Sequence, residues 1–479
     1  MEPGVIGEQR AQARVGWKAW MLVALLAIAA NVLTLLNPGF FSHDEWQKYD
    51  HLQEKGVADF VAEYGQLRVG PDFGFPVRPI GFLQQGFSAS FMADQPFVAH
   101  AIDVLMHAVC ALLLLAALSR TPLRGRWANL TAVVFAISPL ATFSTGWVGA
   151  SFDRWYVLFG LVTAIGVIGA TYGRLSIPNI LLIVGGTAGA ILTKETSVML
   201  PVAVLLVQLA LLLKGDARMD VRRAVMILML VSLPIVAYLL FRMPALIASF
   251  SGHAGAYDPG RGDLLGNIRL YFAQPFLIDA VELISAGSLP KWQWVMALAM
   301  HAVLVVVLAV RRGVLAALLY LAAYYLFLLP VLPVPIVGAH YLYASGVAFS
   351  VGLVAAFYPD ARSRLGRGVA VVLLIGYLAV ACYHAYTIQR TLQVDGTCQA
   401  VLLSDIDDQI NVARTQGQTS IWVVPEFGAP GYIALRSTFA RWPYEAQYGM
   451  QVGVGELDAA PADGARVLVM KSDCRVVPK

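Results

Sequence analysis

Apolar runs of about twenty residues recur along this 479-residue chain, separated by short polar connections. Runs of that length predict helices that cross a bilayer rather than the core helices of a soluble domain. They fall near 17–37, 98–119, 128–144, 155–173, 178–193, 197–213, 224–242, 293–310, 313–332, 341–358 and 367–387. The expected fold is therefore an all-α polytopic membrane domain over residues 1–388, with about eleven transmembrane helices and a first outer loop over 38–97. Beyond 388 the pattern changes. A polar helix-like stretch, Ser404 to Gln416, precedes an apolar strand candidate, Ser420 to Val424. The turn-rich Pro425 to Gly431 and a second strand candidate, Arg466 to Met470, follow. This alternation predicts a small α/β domain outside the membrane over 389–479.

Composition agrees: 58% of residues are hydrophobic and 13% charged, with a mean hydropathy of +0.67. The basic residues set an orientation. Arg120, Arg124 and Arg126 share one connection, Arg174 lies in the next but one, and then come Lys214, Arg218, Arg222 and Arg223. Arg311 and Arg312, then Arg362, Arg364 and Arg367, complete the series. With eleven spans all these loops share one side, and the positive-inside rule makes it cytoplasmic. The N-terminal Arg10, Arg14 and Lys18 agree, and the C-terminal domain is then expected in the periplasm of a bacterial inner-membrane protein. A cleavable signal peptide is the rival for the start, but the apolar stretch continues to Leu36 and its removal would break the charge alternation. The net charge of +4 thus belongs to inner loops, and no nucleic-acid partner is expected. Cys110 and Cys382 fall within spans. Cys398 and Cys474 flank the outer tail, where an oxidising compartment permits a disulfide between them; two free thiols are the alternative.

Charged residues are scarce, so those at membrane faces carry information. Asp44 and Glu45 follow the first span directly. They either end a helix in water or provide carboxylates that hold a metal or take a proton. Lys194 and Glu195 stand between two spans with no polar linker, as a snorkelling lysine or as an ammonium in a polar cavity oriented by its neighbour. Asp153 and Arg154 open the fourth span, where an acid also suits a helix N-terminus. His340 precedes Tyr341 and Tyr343 at a re-entry after a proline-rich turn; the tyrosines fit an interfacial aromatic belt. A further outer region, about 243–292, holds His253, Tyr257, Asp258, Arg261 and Arg269 and is expected to include an interfacial helix.

In this order the segments resemble the GT-C glycosyltransferases, and within them the protein O-mannosyltransferase and tetratricopeptide-containing O-mannosyltransferase group. Asp44-Glu45 matches that group's Asp-Glu motif, and Val77-Arg78-Pro79-Ile80 is similar to its aromatic-Arg-Pro-Leu motif. Ser151-Phe152-Asp153-Arg154 stands where the family carries a Gly-Arg-Ala-Asp-like signature, with the arginine after the acid here. Thr193-Lys194-Glu195-Thr196 is similar to Ser-Lys-Glu-Thr, and His340-Tyr341-Leu342-Tyr343 to Arg-Tyr-Leu-Tyr. The resemblance covers residues 17–358. It departs at His340, where the family has arginine, and in the short tail, which lacks tetratricopeptide repeats. The acceptor therefore need not be a protein: relatives include lipid A aminoarabinose transferases and O-antigen-modifying glucosyltransferases.

The resemblance implies a polyprenyl-phosphate sugar as donor and a glycan, lipid or protein hydroxyl as acceptor. Asp44 takes the role of general base, aided by Glu45, with Asp153 positioning acceptor or metal. Lys194 is the first candidate for the leaving phosphate, with Arg78, Arg242, His340, Tyr341 and Tyr343 as partners. Asp44 and Asp153 could also offer hard oxygen ligands to Mg or Mn. A single base with direct attack would invert the anomeric centre. Two rival classes are a polyprenyl-linked glycan ligase, expected to rely on basic residues rather than an acidic pair, and a lipid or sugar flippase, expected to show inverted repeats.

Overall fold

The computed structural model describes residues 16–40, 43–64, 78–92, 95–213, 220–250, 262–277, 289–335, 337–358, 364–439, 449–460 and 465–479. In chain order the helices are α1 (Trp17–Ala29), α2 (Val32–Leu35), α3 (His43–Tyr64), α4 (Pro79–Ala89), α5 (Pro96–Ser119), α6 (Arg126–Ala136) and α7 (Pro139–Gly146). Then come α8 (Ser151–Tyr172), α9 (Ile177–Ile191), α10 (Leu200–Leu213), α11 (Val221–Phe250), α12 (Leu264–Ala273), α13 (Lys291–Arg312), α14 (Val314–Leu326), α15 (Leu342–Phe357), α16 (Arg364–Thr415) and α17 (Gly431–Phe439).

Among the described residues seven helices are long and apolar enough to cross a membrane, or eight if α6 and α7, bent by 46° at the break before Pro139, form one span. Three shorter apolar helices, α1, α9 and α14, fall on the remaining apolar runs. The bend has a local cause. Pro139 has no amide hydrogen and starts α7 at its first position, where none is needed. The main core joins α7, α12, α13, α14, α15 and α16 around Tyr324, Phe349 and Leu353, and a second unites α1, α5, α6, α8 and α15 around Leu115 and Phe135.

The basic connections do meet at one end of the bundle. Arg311 donates to the carbonyls of Ala356 and Tyr358 at 2.6 and 3.0 Å, and Arg312 to that of Ala355 at 2.9 Å. These guanidinium groups satisfy the last carbonyls of α15, where the helix dipole also favours a cation. Trp127 stacks on Tyr358 at 4.3 Å and carries Arg312 on its face at 4.8 Å. Near the same end, Arg223 reaches the Thr171 carbonyl at 3.3 Å.

The tail departs from expectation in its join to the membrane. The final span and the polar stretch at 404–416 form one continuous helix, α16, of 52 residues. At 1.5 Å per residue it is about 78 Å long, enough to cross a bilayer and continue well beyond it. The outer part stays helical because Leu402, Ile406, Ile410 and Ala413 form a buried stripe at helical spacing. Against that stripe lies a four-stranded sheet of β1 (Ser420–Pro425), β2 (Gln451–Val454), β3 (Ala465–Met470) and β4 (Val476–Pro478), in the order β2-β1-β3-β4. β1 runs parallel to β2 and β3, and β4 closes the edge antiparallel to β3. β2 and β4 escape a reading by pattern because each is only a few residues long. A disulfide joins Cys398 on α16 to Cys474 beside β4.

The C-terminal end of the first apolar run is fastened to α16 by polar side chains. Asn37 donates to the Leu392 carbonyl at 3.1 Å, Gln389 donates to the Ala30 carbonyl at 2.6 Å, and the Phe40 amide donates to Gln399 at 2.9 Å. Gly39 and Gly396 permit this approach, since a β-carbon on Gly39 would lie 2.0 Å from the Gly396 carbonyl oxygen.

Replacing Cys398 or Cys474 by serine is expected to destabilise the tail by about 2–4 kcal/mol. Thermal unfolding in detergent, with and without reductant, measures it. An unchanged transition would show that the apolar stripe of α16 holds the sheet unaided.

Candidate functional site

Four segments meet at the end of the bundle opposite the basic connections, each placed by a break in regular structure. Arg78 stands just outside α4, whose first residue is Pro79, and a residue before proline is excluded from helical backbone. Asp153 sits in the first turn of α8. Lys194 follows α9 in extended conformation (φ −154°, ψ 135°) and begins the short 3-10 turn Glu195–Met199. His340 and Tyr341 belong to the 3-10 turn that leads into α15.

The extended backbone at Lys194 decides the pairing. Successive side chains on extended chain point apart, so Lys194 and Glu195 take different partners rather than each other. The Lys194 ammonium lies 2.6 and 2.7 Å from the two Asp153 oxygens, with side chains 6% and 2% exposed. Glu195 takes Arg78 instead, with Nε at 2.8 Å and Nη2 at 2.7 Å from one carboxylate oxygen. This second pair is more open, at 24% and 32% exposed. Burial works against the Arg78 charge, but Glu195, with smaller contributions from Tyr341 and Asp153, outweighs it, so the guanidinium is held more firmly protonated than a free one.

Aromatic rings wall both pairs. The Lys194 ammonium lies 4.6 Å from the Tyr341 ring centre and 6.0 Å from that of Tyr156. His340 packs on Tyr341 at 4.0 Å and meets Trp147 edge-on at 5.0 Å. Arg78 lies 5.2 Å from the Phe152 ring centre, and Phe152 meets Phe82 edge-on at 5.5 Å. Gly81 lets α4 come this close: a β-carbon there would sit 2.1 Å from the Phe152 ring and 3.0 Å from the Thr193 carbonyl. The Ile80 amide then donates to the Leu192 carbonyl at 3.2 Å, tying the α4 segment to the Lys194 segment.

The structure thus gathers Arg78, Asp153, Lys194, Glu195, His340 and Tyr341. Arg242 borders them on α11: it lies 6.0 Å from the Tyr238 ring centre, and Tyr238 is within electrostatic range of Glu195, Arg242 and Arg78. Tyr343 goes elsewhere. Two residues beyond Tyr341 is about 200° around a helix, so its ring turns into the bundle, fully buried, with its hydroxyl 2.9 Å from His107 Nδ1. Asp153 caps no helix amide, and Lys194 is buried rather than snorkelling. Asp44 and Glu45 lie in the first turn of α3, and their side chains fall outside the described residues, as do His253, Tyr257, Asp258 and Arg261. Trp46, one residue beyond Glu45, packs in one cluster with Phe40 and with Val148, which precedes α8. Arg269 lies on α12, the helix of the 243–292 region, which Asn267 ties to the proline-rich turn through the Leu332 and Val334 carbonyls.

Sequence reasoning missed Trp147, Phe152 and Tyr156. The signal was present: Tyr156 is three residues beyond Asp153, on the same helix face. A divalent cation does not fit at Asp153 as these residues stand, because both oxygens face the Lys194 ammonium. Among the described residues no group of three or more His, Cys, Asp or Glu side chains could hold a metal ion.

No family model matches the chain, and no curated protein does. Among solved structures the chain is similar to ArnT from Cupriavidus metallidurans in the apo state, with 13% identity, 94% of this chain and 93% of that chain covered, and a TM-score of 0.48. It is also similar to that ArnT bound to undecaprenyl phosphate, with 14% identity, 96% and 94% covered, and a TM-score of 0.45.

Removing one member of the buried pair strands the other without solvent. Lys194→Met or Asp153→Leu alone is expected to cost about 3–5 kcal/mol, whereas the double variant should recover most of that loss. Thermal unfolding of the four proteins in detergent reads the cycle. Additive losses would mean that the two groups do not act as a pair.

Proposed function

We propose that this protein is a GT-C-type glycosyltransferase that moves a sugar, a hexose, from a polyprenyl-phosphate donor to an acceptor hydroxyl. The reaction takes place at the periplasmic face of a bacterial inner membrane, in cell-envelope glycan, lipid or protein glycosylation. The observation that carries this reading is the convergence of two ion pairs, Arg78–Glu195 and Asp153–Lys194, at one membrane end of an apolar helical bundle. Ionisable groups at that depth are costly, and sites that handle a charged substrate are where membrane proteins keep them. The basic connections at the opposite end support the orientation.

The chemistry follows from the arrangement. The acceptor oxygen attacks the anomeric carbon and a C–O bond forms. The bond from that carbon to the phosphate oxygen breaks, and its electron pair leaves with the phosphate. The acceptor proton passes to Asp44, with Glu45 beside it. Growing negative charge on the departing phosphate needs fixed cations. Arg78 is the more accessible one, and its planar fork suits two phosphate oxygens at once. Lys194 stands behind it on Asp153, so a phosphate drawing on the ammonium shares it with a carboxylate already in place. His340 and Tyr341 wall the Lys194 side, and Arg242 adds positive charge from α11. Direct attack with one base inverts the anomeric configuration.

Arg78→Ala is expected to weaken donor use about 10–100-fold in kcat/KM through loss of a charge-assisted contact. Asp44→Asn should lower turnover 10²- to 10⁴-fold, roughly the value of a general base. Both are read from transfer kinetics with purified protein and a polyprenyl-phosphate sugar. Near-normal turnover by a folded Asp44→Asn protein would remove Asp44 as base, and an Arg78→Ala enzyme with unchanged donor kinetics would remove the phosphate contact. A reporter fused after Lys479 should be active only outside the cytoplasm; activity inside would reverse the orientation.

A further inference from the structure

The helix α5 reads as an ordinary apolar span, yet it carries His100, Asp103 and His107 at 0–1% exposure. Their spacing of three and four residues puts them on one face. Phe97, Leu105 and Val109 are exposed on the remaining faces, where a lipid-facing surface belongs. A seam of leucines would pack between helices without the desolvation cost of three ionisable side chains. What the polar residues add is direction.

Each holds a different segment of the site end. His100 Nε2 donates to the Gly39 carbonyl at 2.9 Å, and its ring stacks on Phe40 at 5.0 Å, on the stretch that leads into Asp44 and Glu45. Asp103 pairs with Arg154 at 2.5 Å, both side chains fully buried, and Arg154 is the residue after Asp153. Arg154 also stands 3.5 Å from the Ser144 hydroxyl and 3.5 Å from the Trp147 carbonyl, so the same guanidinium draws in the segment whose indole meets His340. His107 Nε2 donates to the Ala136 carbonyl at 3.1 Å, which leaves Nδ1 to accept from the Tyr343 hydroxyl at 2.9 Å, two residues beyond Tyr341. One turn further on, the Cys110 thiol donates to the Arg154 carbonyl at 3.6 Å.

We propose that His100, Asp103 and His107 are positioning residues: α5 is a spine whose single polar face sets the register of the Asp44, Asp153 and Tyr341 segments relative to one another. Helices in lipid gain little from apolar contact alone, so sliding one past another costs little until directional bonds fix it. Two histidine hydrogen bonds and one buried charge pair on a single helix fix three segments against a common frame. The role of these residues in turnover rests on the proposed sugar transfer; their role in register does not.

The experiment uses the full protein in lipid nanodiscs and three replacements that keep apolar packing: His100→Phe, His107→Phe, and Asp103→Leu with Arg154→Met. The last removes both charges together, a change that buried pairs often tolerate without loss of stability. Amide exchange is followed over 37–46, 148–156 and 338–345. Each replacement is expected to speed exchange about tenfold in its own segment and leave the other two near wild type. Transfer kinetics should show turnover down about 10²-fold, the effect of an ångström-scale misplacement, with the donor KM little changed. Uniform deprotection of all three segments, or none, overturns the proposal whatever the activity. So does full turnover in all three variants if the wild type transfers sugar. A wild-type protein that transfers no sugar from any polyprenyl-phosphate donor overturns the functional reading instead, and the exchange pattern then decides the register role by itself.

Discussion

A bilayer supplies no hydrogen-bond partner, so a charged side chain inside this bundle is costly unless an opposite charge stands beside it. That constraint explains why the charges sit in pairs at adjacent positions. Asp153 answers Lys194 and Arg154 answers Asp103, so two consecutive residues of α8 bind two different elements. Neither pair is strong evidence of stability, because desolvation consumes most of the Coulombic gain. Their value is geometric. With α8 fastened on both sides in its first turn, the other helices have little freedom in how they approach it.

The same constraint makes the site electrically balanced. The charges of Arg78, Asp153, Lys194 and Glu195 cancel in two ion pairs. The balance is uneven in access, with the Arg78–Glu195 pair several times more exposed than the one behind it. Of the two cations, the Arg78 guanidinium is the more open, and Glu195 is the carboxylate that holds it.

Much of this was legible in the sequence because charges are rare there. The apolar runs mark the spans by length alone, and Arg78, Asp153, Lys194 and His340 stand out against an apolar background. Partnership was not legible. Adjacency suggested that Glu195 orients Lys194, whereas the extended backbone between them sends the two side chains to Arg78 and Asp153. Tyr343 looked equivalent to Tyr341 by proximity, but a helix separates them by more than half a turn. The polar face of α5 was hidden because three ionisable residues in 24 scarcely alter a span's mean hydropathy. Their spacing was the available clue. In the tail, α16 runs unbroken through residue 388, since a change in composition need not interrupt a helix whose buried stripe continues.

That continuity ties the outer domain mechanically to the site. One face of α16 presents Gln389, Leu392, Gly396 and Gln399 to Ala30, Asn37, Gly39, Phe40 and Trp46, from the end of the first apolar run to the start of α3. Further out, the same helix carries the sheet and the disulfide at Cys398, one residue before Gln399. Gln399 takes both the Phe40 amide and, at 3.4 Å, the Trp46 indole. Fixing Cys398 to the sheet therefore fixes the turn of helix that holds the start of α3. The stretch that leads into α3 thus lies between α16, through Gln399, and α5, through the bond of His100 to the Gly39 carbonyl.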